Sequence, residues 1–401
     1  MKLPSILENL YLYLLIQRTW FVFHGSIENN VVAIQNYDYY NLTTQDQIHF
    51  GVQGHVVLRK LLPYLHELRP NILEARDASD LLFYEYALKS MGCSNMIESE
   101  SDRTVRKYKK LMQKCKRNNK DALFPYYQNV NVHRLDEELY QLATSEYLGQ
   151  LAASLLQVQS VRLYQTALFF KDPSGVNQQT GWHQDLNQVP VDTRHYVTFW
   201  CPLSPLQLQD SVLIFASKSH RDMSFANWYT SVPRDLGALL EERYETEHYA
   251  PFQAGDCSAH SGWVFHRALP NKGSKAREAI AFSFVDANAR KLHSNEIRNS
   301  RPLENEDILS WRDWHDSVPE YGVIDSPFLP VVYTAPAEPP PKPYKSKQKK
   351  KGDEVLYYTT SIDGEIEENL DDLEWQAILD EDEDWWTSDD EAFFFLKQKS
   401  D

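Results

Sequence analysis

The sequence has little cysteine, no long hydrophobic run and, over most of its length, no excess of charge of either sign. Cys93, Cys115, Cys201 and Cys257 are four among 401 residues. They stand far apart without paired spacing and are too few to staple a chain of this length. That argues against a disulfide scaffold and leads to the expectation of reduced thiols in a reducing, cytoplasmic compartment. The most membrane-like stretch, NLYLYLLI at 9–16, follows Glu8 and falls well short of the roughly 20 apolar residues that a spanning helix needs. With no small-residue cleavage site after it, neither a membrane span nor a secretory leader is expected. The chain ends in Lys399-Ser400-Asp401, which is not the Ser-Lys-Leu peroxisomal address. No internal repeat is found.

The formal net charge of −16 belongs to one end. Residues 353–401 carry 18 acids and 2 lysines, which leaves 39 acids and 39 bases in the rest. The acidic segment follows APAEPPPKPYKSKQKKK (335–351), a Pro-rich and then Lys-rich linker composition. Low hydrophobicity and like-charge repulsion predict disorder there. The embedded LEWQAIL (373–379) and WWTSDDEAFFFL (385–396) leave open a short helix that docks on a protein partner. The basic stretch RTVRKYKKLMQKCKRNNK (103–120) reads as a solvated helix face, and nucleic-acid binding is not expected.

What is present is apolar and aromatic material, at 42% and 13%, enough for one sizeable core or two. IHFGVQGHVVLRKLLPYL (48–65) predicts a helical approach, a short Val-Val-Leu strand and a leucine-spaced helix. Helical periodicity continues to about residue 120, and LDEELYQLATSEYLGQLAASLL (135–156) predicts one or two amphipathic helices. After Gln157 the texture changes. VQSVRLYQTALFF, HYVTFW, SVLIFA and EAIAFSFVD are β-branched and aromatic runs parted by turn residues, which predicts an antiparallel sandwich or barrel.

Within that half, GWHQDLNQVP (181–190) places His183 and Asp185 two residues apart. In an extended strand such residues share a face, so an imidazole and a carboxylate can converge on one cation. A histidine from another strand would complete a 2-His-1-carboxylate set with open positions, as in non-haem iron(II) oxygenases. His260 and His266 are both candidates. His-x-Asp alone is a cheap pattern, repeated at His220 and Asp222, and its surroundings have to raise it.

Those surroundings resemble the phytanoyl-CoA dioxygenase family of iron(II)/2-oxoglutarate oxygenases. The resemblance runs in order through FGVQGHVVLRKLL (50–62), VRLYQTALFFKDP (161–173), WHQDLNQVP (182–190), VTFWCPLSPL (197–206), SKSH (217–220) and GDCSAHSGWVFHRALPNKGSKAR (255–277). It implies an all-β core with added helices: a double-stranded β-helix, or jelly roll, over about 157–290, with an N-terminal helical part. The domains expected are an N-terminal extension at 1–45, the oxygenase domain at 46–300, a C-terminal extension of it at 301–334, and the linker and acidic tail at 335–401. The resemblance implies that His183, Asp185 and His266 bind iron(II). It implies that Arg277, eleven residues beyond His266, holds the far carboxylate of 2-oxoglutarate, with Trp200 and Gln184 beside the co-substrate and His260 a neighbour of the metal. An arginine fork suits bidentate capture of a carboxylate, against the alternative of a salt bridge to Glu278 or Asp286. His195, His220 and His248 are expected on the surface or in hydrogen bonds, and Trp182, Trp200 and Trp263 in the core or the pocket.

The reaction implied is hydroxylation of a small organic substrate with O2, releasing succinate and CO2, with ascorbate a further candidate cofactor. Desaturation or ring formation would use the same ligands. The rival reading is a non-catalytic binding protein on the same scaffold that acts through its acidic tail. One departure is plain: Ser211 and Lys218 stand where the family has glycine, so a loop of different shape is expected beside the site.

Overall fold

In the computed structural model the described residues are 40–98, 103–118, 129–173, 179–222, 236–292, 312–315, 317–336 and four three-residue strands between 349 and 368. The chain divides into two units, Met1–Ala335 and Pro336–Asp401. In the second, Lys349–Lys351 pairs with Glu354–Leu356 and Tyr358–Thr360 with Ile366–Glu368, both antiparallel. The rest of the acidic tail, with its predicted disorder and its two aromatic clusters, lies outside the described residues, as does the N-terminal extension before Tyr40.

Helix α1 (Thr44–Gln53) starts on a capping box in which Thr43 and Asp46 satisfy each other's backbone N–H, and stops at Gly54 in the left-handed conformation. Glycine is required twice at that position. A Cβ there would also lie 2.5 Å from His220 Nδ1. Strand β1 (His55–Leu58) follows directly. The leucine-spaced helix expected after it is corrected, because residues 59–68 form turns and helix α2 begins at Arg69 (Arg69–Ser90). The carboxylate of Asp256 accepts from Arg59 and from the backbone N–H of Lys60, and Leu62 N–H donates to Gly255 O at 2.9 Å. Those ties hold an irregular segment while Leu61, Leu62 and Leu65 are buried, so the leucine spacing serves a packed loop.

Helices α3 (Ser94–Glu98) and α4 (Val105–Asn118) pack with α2 around Phe83, Leu88, Tyr108 and Met112. The predicted helix over 135–156 is two: α5 (Glu137–Ala143), capped by Asp136, and α6 (Glu146–Leu156), capped by Ser145. Short strands and two sheets make up the rest: β2 (Ser160–Lys171), β3 (Thr180–His183), β4 (Tyr196–Pro202), β5 (Leu213–Ala216), β6 (Thr246–Glu247), β7 (Cys257–Ser261), β8 (His266–Ala268), β9 (Arg277–Asp286) and β10 (Val331–Thr334), with helix α7 (Leu236–Arg243) before β6.

The large sheet runs β1-β7-β4-β9-β2-β10 and the small one β3-β8-β5-β6, with every strand pair antiparallel. This is the double-stranded β-helix. Its large sheet takes in two strands from outside 157–290, β1 and β10. Along β4 the residues alternate. Val197, Phe199 and Cys201 join the core that contains the α5 and α6 leucines, while Trp200 belongs to the cluster with Phe215, Phe252 and Val264 between the sheets.

The expectation of four reduced cysteines is corrected. Cys201 on β4 and Cys257 on β7 are disulfide-bonded with their Cα atoms 4.3 Å apart, and Cys93 is bonded to Cys115 on α4. Strand pairing brings the first pair together and helix packing the second, over separations of 56 and 22 residues that leave no spacing signal. The cysteine argument for a reducing, cytoplasmic compartment goes with that correction. No helix among the described residues is long and apolar enough to cross a membrane.

Candidate metal centre and anion pocket

His183 ends β3 and sits directly opposite His266 at the start of β8. Directly opposed residues project to the same face, and the ring centroids are 4.1 Å apart. Gln184 keeps extended backbone angles, so Asp185 turns its carboxylate to the side of His183 even though it already opens a 3-10 turn. Asp185 Oδ1 lies 3.8 Å from His183 Nε2 and 3.5 Å from His266 Nε2. One ligand atom of each residue lies within 4.8 Å of the others, a spacing suited to one metal ion.

The other ring nitrogens are already engaged. His183 Nδ1 is 2.9 Å from Gly181 O and His266 Nδ1 is 3.2 Å from Val264 O. Donation to those carbonyls fixes the tautomer and leaves each Nε2 with a free lone pair, as a metal-ligating imidazole requires.

A polar row crosses the large sheet behind this group. The register aligns His55 with His260, His260 with Thr198, and Thr198 with Ser283. Thr198 Oγ1 donates to Asp185 Oδ2 at 3.0 Å, and His260 Nε2 lies 3.2 Å from the same oxygen. His260 thus touches Asp185 Oδ2, whereas the His183 and His266 distances are to Oδ1. Burial alone would raise the Asp185 pKa, but His266, His260 and His183 together pull it well below the ordinary carboxylate range. Burial, with His183 next, pushes His266 well below the usual imidazole value against the pull of Asp185. An anionic carboxylate beside a neutral His266 ring is a protonation state that binds a cation.

Arg277 opens β9 opposite Lys171 of β2. It is 2% exposed, its guanidinium carbon lies 5.5 Å from the centre of the Trp200 ring, and its Nε and Nη1 have no hydrogen-bond partner. Trp200 Nε1 is buried without a partner in the same pocket. The salt-bridge alternatives are occupied elsewhere: Glu278 takes Arg69 at 2.6 Å, and Asp286 lies 3.7 Å from His195. Burial pushes the Arg277 pKa down to about 10, and burial and then Arg277 push Lys171 down to about 7. Lys171 Nζ donates to Ala268 O and Leu269 O, just past His266, which ties this end of the large sheet to β8.

The structure thus brings together His183, Asp185 and His266, and Arg277 with Trp200. The Gln184 side chain has other partners. It is wholly buried, with Nε2 donating to Trp263 O and Oε1 accepting from Asn187, so its amide serves the turn. Sequence reasoning missed Lys171, whose only signal was a basic residue ending an apolar strand. The expectation of a differently shaped loop is also refined: Ser211 and Lys218 have φ of 68° and 70°, the left-handed geometry that glycine would take.

Residues 98–279 match the family model for phytanoyl-CoA dioxygenase (PhyH). Those residues are similar to a PhyH domain. The match ends two residues past Arg277 and contains every residue of both groups, while β1 and β10 lie outside it. No curated protein sequence matches the chain. Among solved structures, the chain is similar to the non-haem α-ketoglutarate-dependent carbocyclase SnoK from nogalamycin biosynthesis (17% identity, TM-score 0.47, 73% of this chain and 96% of that one). It is also similar to the epimerase SnoN in complex with Fe3+, α-ketoglutarate and nogalamycin RO (16%, 0.46, 72% and 97%). A third is EctD from S. alaskensis with 2-oxoglutarate and 5-hydroxyectoine (15%, 0.43, 69% and 87%).

Proposed function

We propose that this chain is an iron(II)- and 2-oxoglutarate-dependent dioxygenase that hydroxylates a small organic substrate. One oxygen atom of O2 enters the substrate C–H bond, the other enters succinate, and CO2 leaves. His183, Asp185 and His266 would hold the iron. Two imidazoles and one carboxylate on a single face fit that ion and leave coordination positions free for small ligands. Iron(II) held there supplies the activation of oxygen.

The protein's own part is binding, orientation and exclusion of water. Thr198 and His260 hold Asp185 Oδ2, so Oδ1 is the oxygen turned to the two Nε2 atoms. Arg277 would take the distal carboxylate of 2-oxoglutarate, with Trp200 as the wall of its site. The observation that carries the proposal is the Arg277 guanidinium, buried with two nitrogens unpaired. A buried charge without a partner costs several kcal/mol, and a dicarboxylate supplies the missing acceptor. The rival, a non-catalytic binding protein, gives no reason to keep that cation in the interior.

The test is succinate formation from 2-oxoglutarate by the full-length protein under air, with iron(II) and ascorbate, with and without candidate substrates. Iron-dependent succinate supports the proposal. If none forms with any substrate, and 2-oxoglutarate fails to bind iron-loaded protein under nitrogen, the binding-protein reading takes its place.

A further inference from the structure

A second group of metal-ligating side chains is formed by α1, β1 and the edge of the small sheet. His49 projects from α1, His55 from β1 and Glu247 from β6, and one ligand atom of each lies within 4.8 Å of the others. His55 is wholly buried, whereas His49 and Glu247 are half-buried and reach toward solvent. The His55 ring stacks on Phe215 at 4.6 Å and 15°, which fixes its plane, and the Phe215 ring also lies 5.5 Å from the His260 ring and 6.2 Å from the His266 ring.

We propose that His49, His55 and Glu247 form a second divalent-cation site, of zinc type, separate from the group around Asp185. Two imidazoles and a carboxylate are the donor set zinc takes, and a fourth position completes a tetrahedron. His55 Nε2 is 4.0 Å from Glu247 Oε2. Ligand bonds of about 2.0–2.1 Å need donors roughly 3.4 Å apart, so the His55 and Glu247 side chains have to close by roughly half an ångström. Burial, and next His49, pushes His55 down to about 3. Tyr249 OH is 2.6 Å from His55 Nδ1 and 3.4 Å from His49 Nε2, and Ser217 Oγ is 2.9 Å from His55 Nε2. Those hydroxyls satisfy the buried ring, and a cation takes the place of one of them. Among the described residues no lysine or arginine is within ion-pair distance of Glu247, which leaves its charge to be matched by the metal. The site would fasten α1 to a two-residue edge strand whose own ladder is short.

The inference is independent of the proposed reaction, and its test needs no turnover. Full-length protein carrying His183→Ala and His266→Ala, stripped with a chelator, is titrated with cobalt(II) and then zinc(II), followed by cobalt absorption and bound-metal content. The expected result is one remaining equivalent with the spectrum of nitrogen- and oxygen-ligated cobalt, displaced by zinc. Adding Glu247→Gln or His49→Ala should weaken it at least about tenfold, since even losing a partner of a ligand costs that much. Both residues are half-buried, and unchanged thermal unfolding of the metal-free variants shows that the fold is retained. Zinc should also raise the Tm of the first variant and not that of the ones lacking His49 or Glu247. Overturning results are no cobalt bound once the first group is removed, which marks a hydrogen-bonded network only, or an equivalent indifferent to both added substitutions.

Discussion

Two regions between the sheets are unbalanced in opposite senses. Around Asp185 one carboxylate faces three imidazoles, at 3.8, 3.2 and 3.5 Å. Around Arg277 two buried cations, Arg277 and Lys171, have no described carboxylate within ion-pair reach. The first region has gathered lone pairs for a cation and the second has gathered charge for an anion. An ordinary core would leave neither imbalance, and even the partly exposed Glu278 beside Arg277 is paired, with Arg69. Their adjacency, through Lys171 and the β8 carbonyls, suits a metal ion and a dicarboxylate that reach across from one region to the other.

The comparison breaks most sharply at Asp185. Asp185→Ala removes the one anion of the group and should abolish specific iron(II) binding and turnover together, measured by bound iron after desalting and by succinate release. Retention of one tight iron equivalent would remove the carboxylate from the ligand set. His260→Ala tests the same region more gently. Loss of a residue that only holds Asp185 should lower iron affinity about 10- to 100-fold while leaving a metal-loaded protein at saturating iron. Complete loss of iron with His266→Ala still loaded would exchange the roles of the two histidines.

The cation side is sharpened by pH. Lys171 has its folded pKa lowered to about 7, below the ordinary lysine value of about 10.4. The unfolded chain therefore binds the extra proton between those values, and stability rises with pH across that window. The destabilising charge is fully present below about pH 7 and is relieved as the pH increases. In chemical denaturation, wild type should gain on Lys171→Met between pH 6 and pH 9, and a constant difference would mean that the Lys171 charge is not strained. The smallest effect concerns Lys218, which holds a left-handed conformation with an exposed side chain. Lys218→Gly should stabilise by about 1 kcal/mol, read as a rise in Tm without a change in iron or 2-oxoglutarate binding.

What could be read in the sequence was local or periodic. His183 and Asp185 were legible because a strand puts residues two apart on one face, and the sheet half was legible from β-branched and aromatic runs. His266 and Arg277 were reached through resemblance; the structure sets His266 opposite His183 and Arg277 5.5 Å from the centre of the Trp200 ring. Pairings set by tertiary contact were not legible. Cys201 and Cys257 meet only once β4 lies beside β7, and Glu247 joins His49 and His55 across almost 200 residues. Gln184 shows the opposite failure: a residue between two ligands looked functional, but the alternation that turns its neighbours into the site turns its amide to Trp263 and Asn187. The leucine spacing after β1 misled for a related reason, since burial imposes apolar residues on a loop as readily as on a helix.

The central claim is that the unpaired cation in the barrel is kept for the co-substrate, and a titration of 2-oxoglutarate into iron-loaded protein under nitrogen tests it directly. The readout is the visible charge-transfer absorption of the chelate. Breaking a buried hydrogen-bonded charge pair costs about 2–5 kcal/mol, or roughly 30-fold to several-thousand-fold in affinity. Arg277→Leu should therefore keep its iron and need that much more 2-oxoglutarate, with Arg277→Lys in between because it keeps the charge and loses the fork. An unchanged midpoint for Arg277→Leu, with iron still bound, would contradict the account.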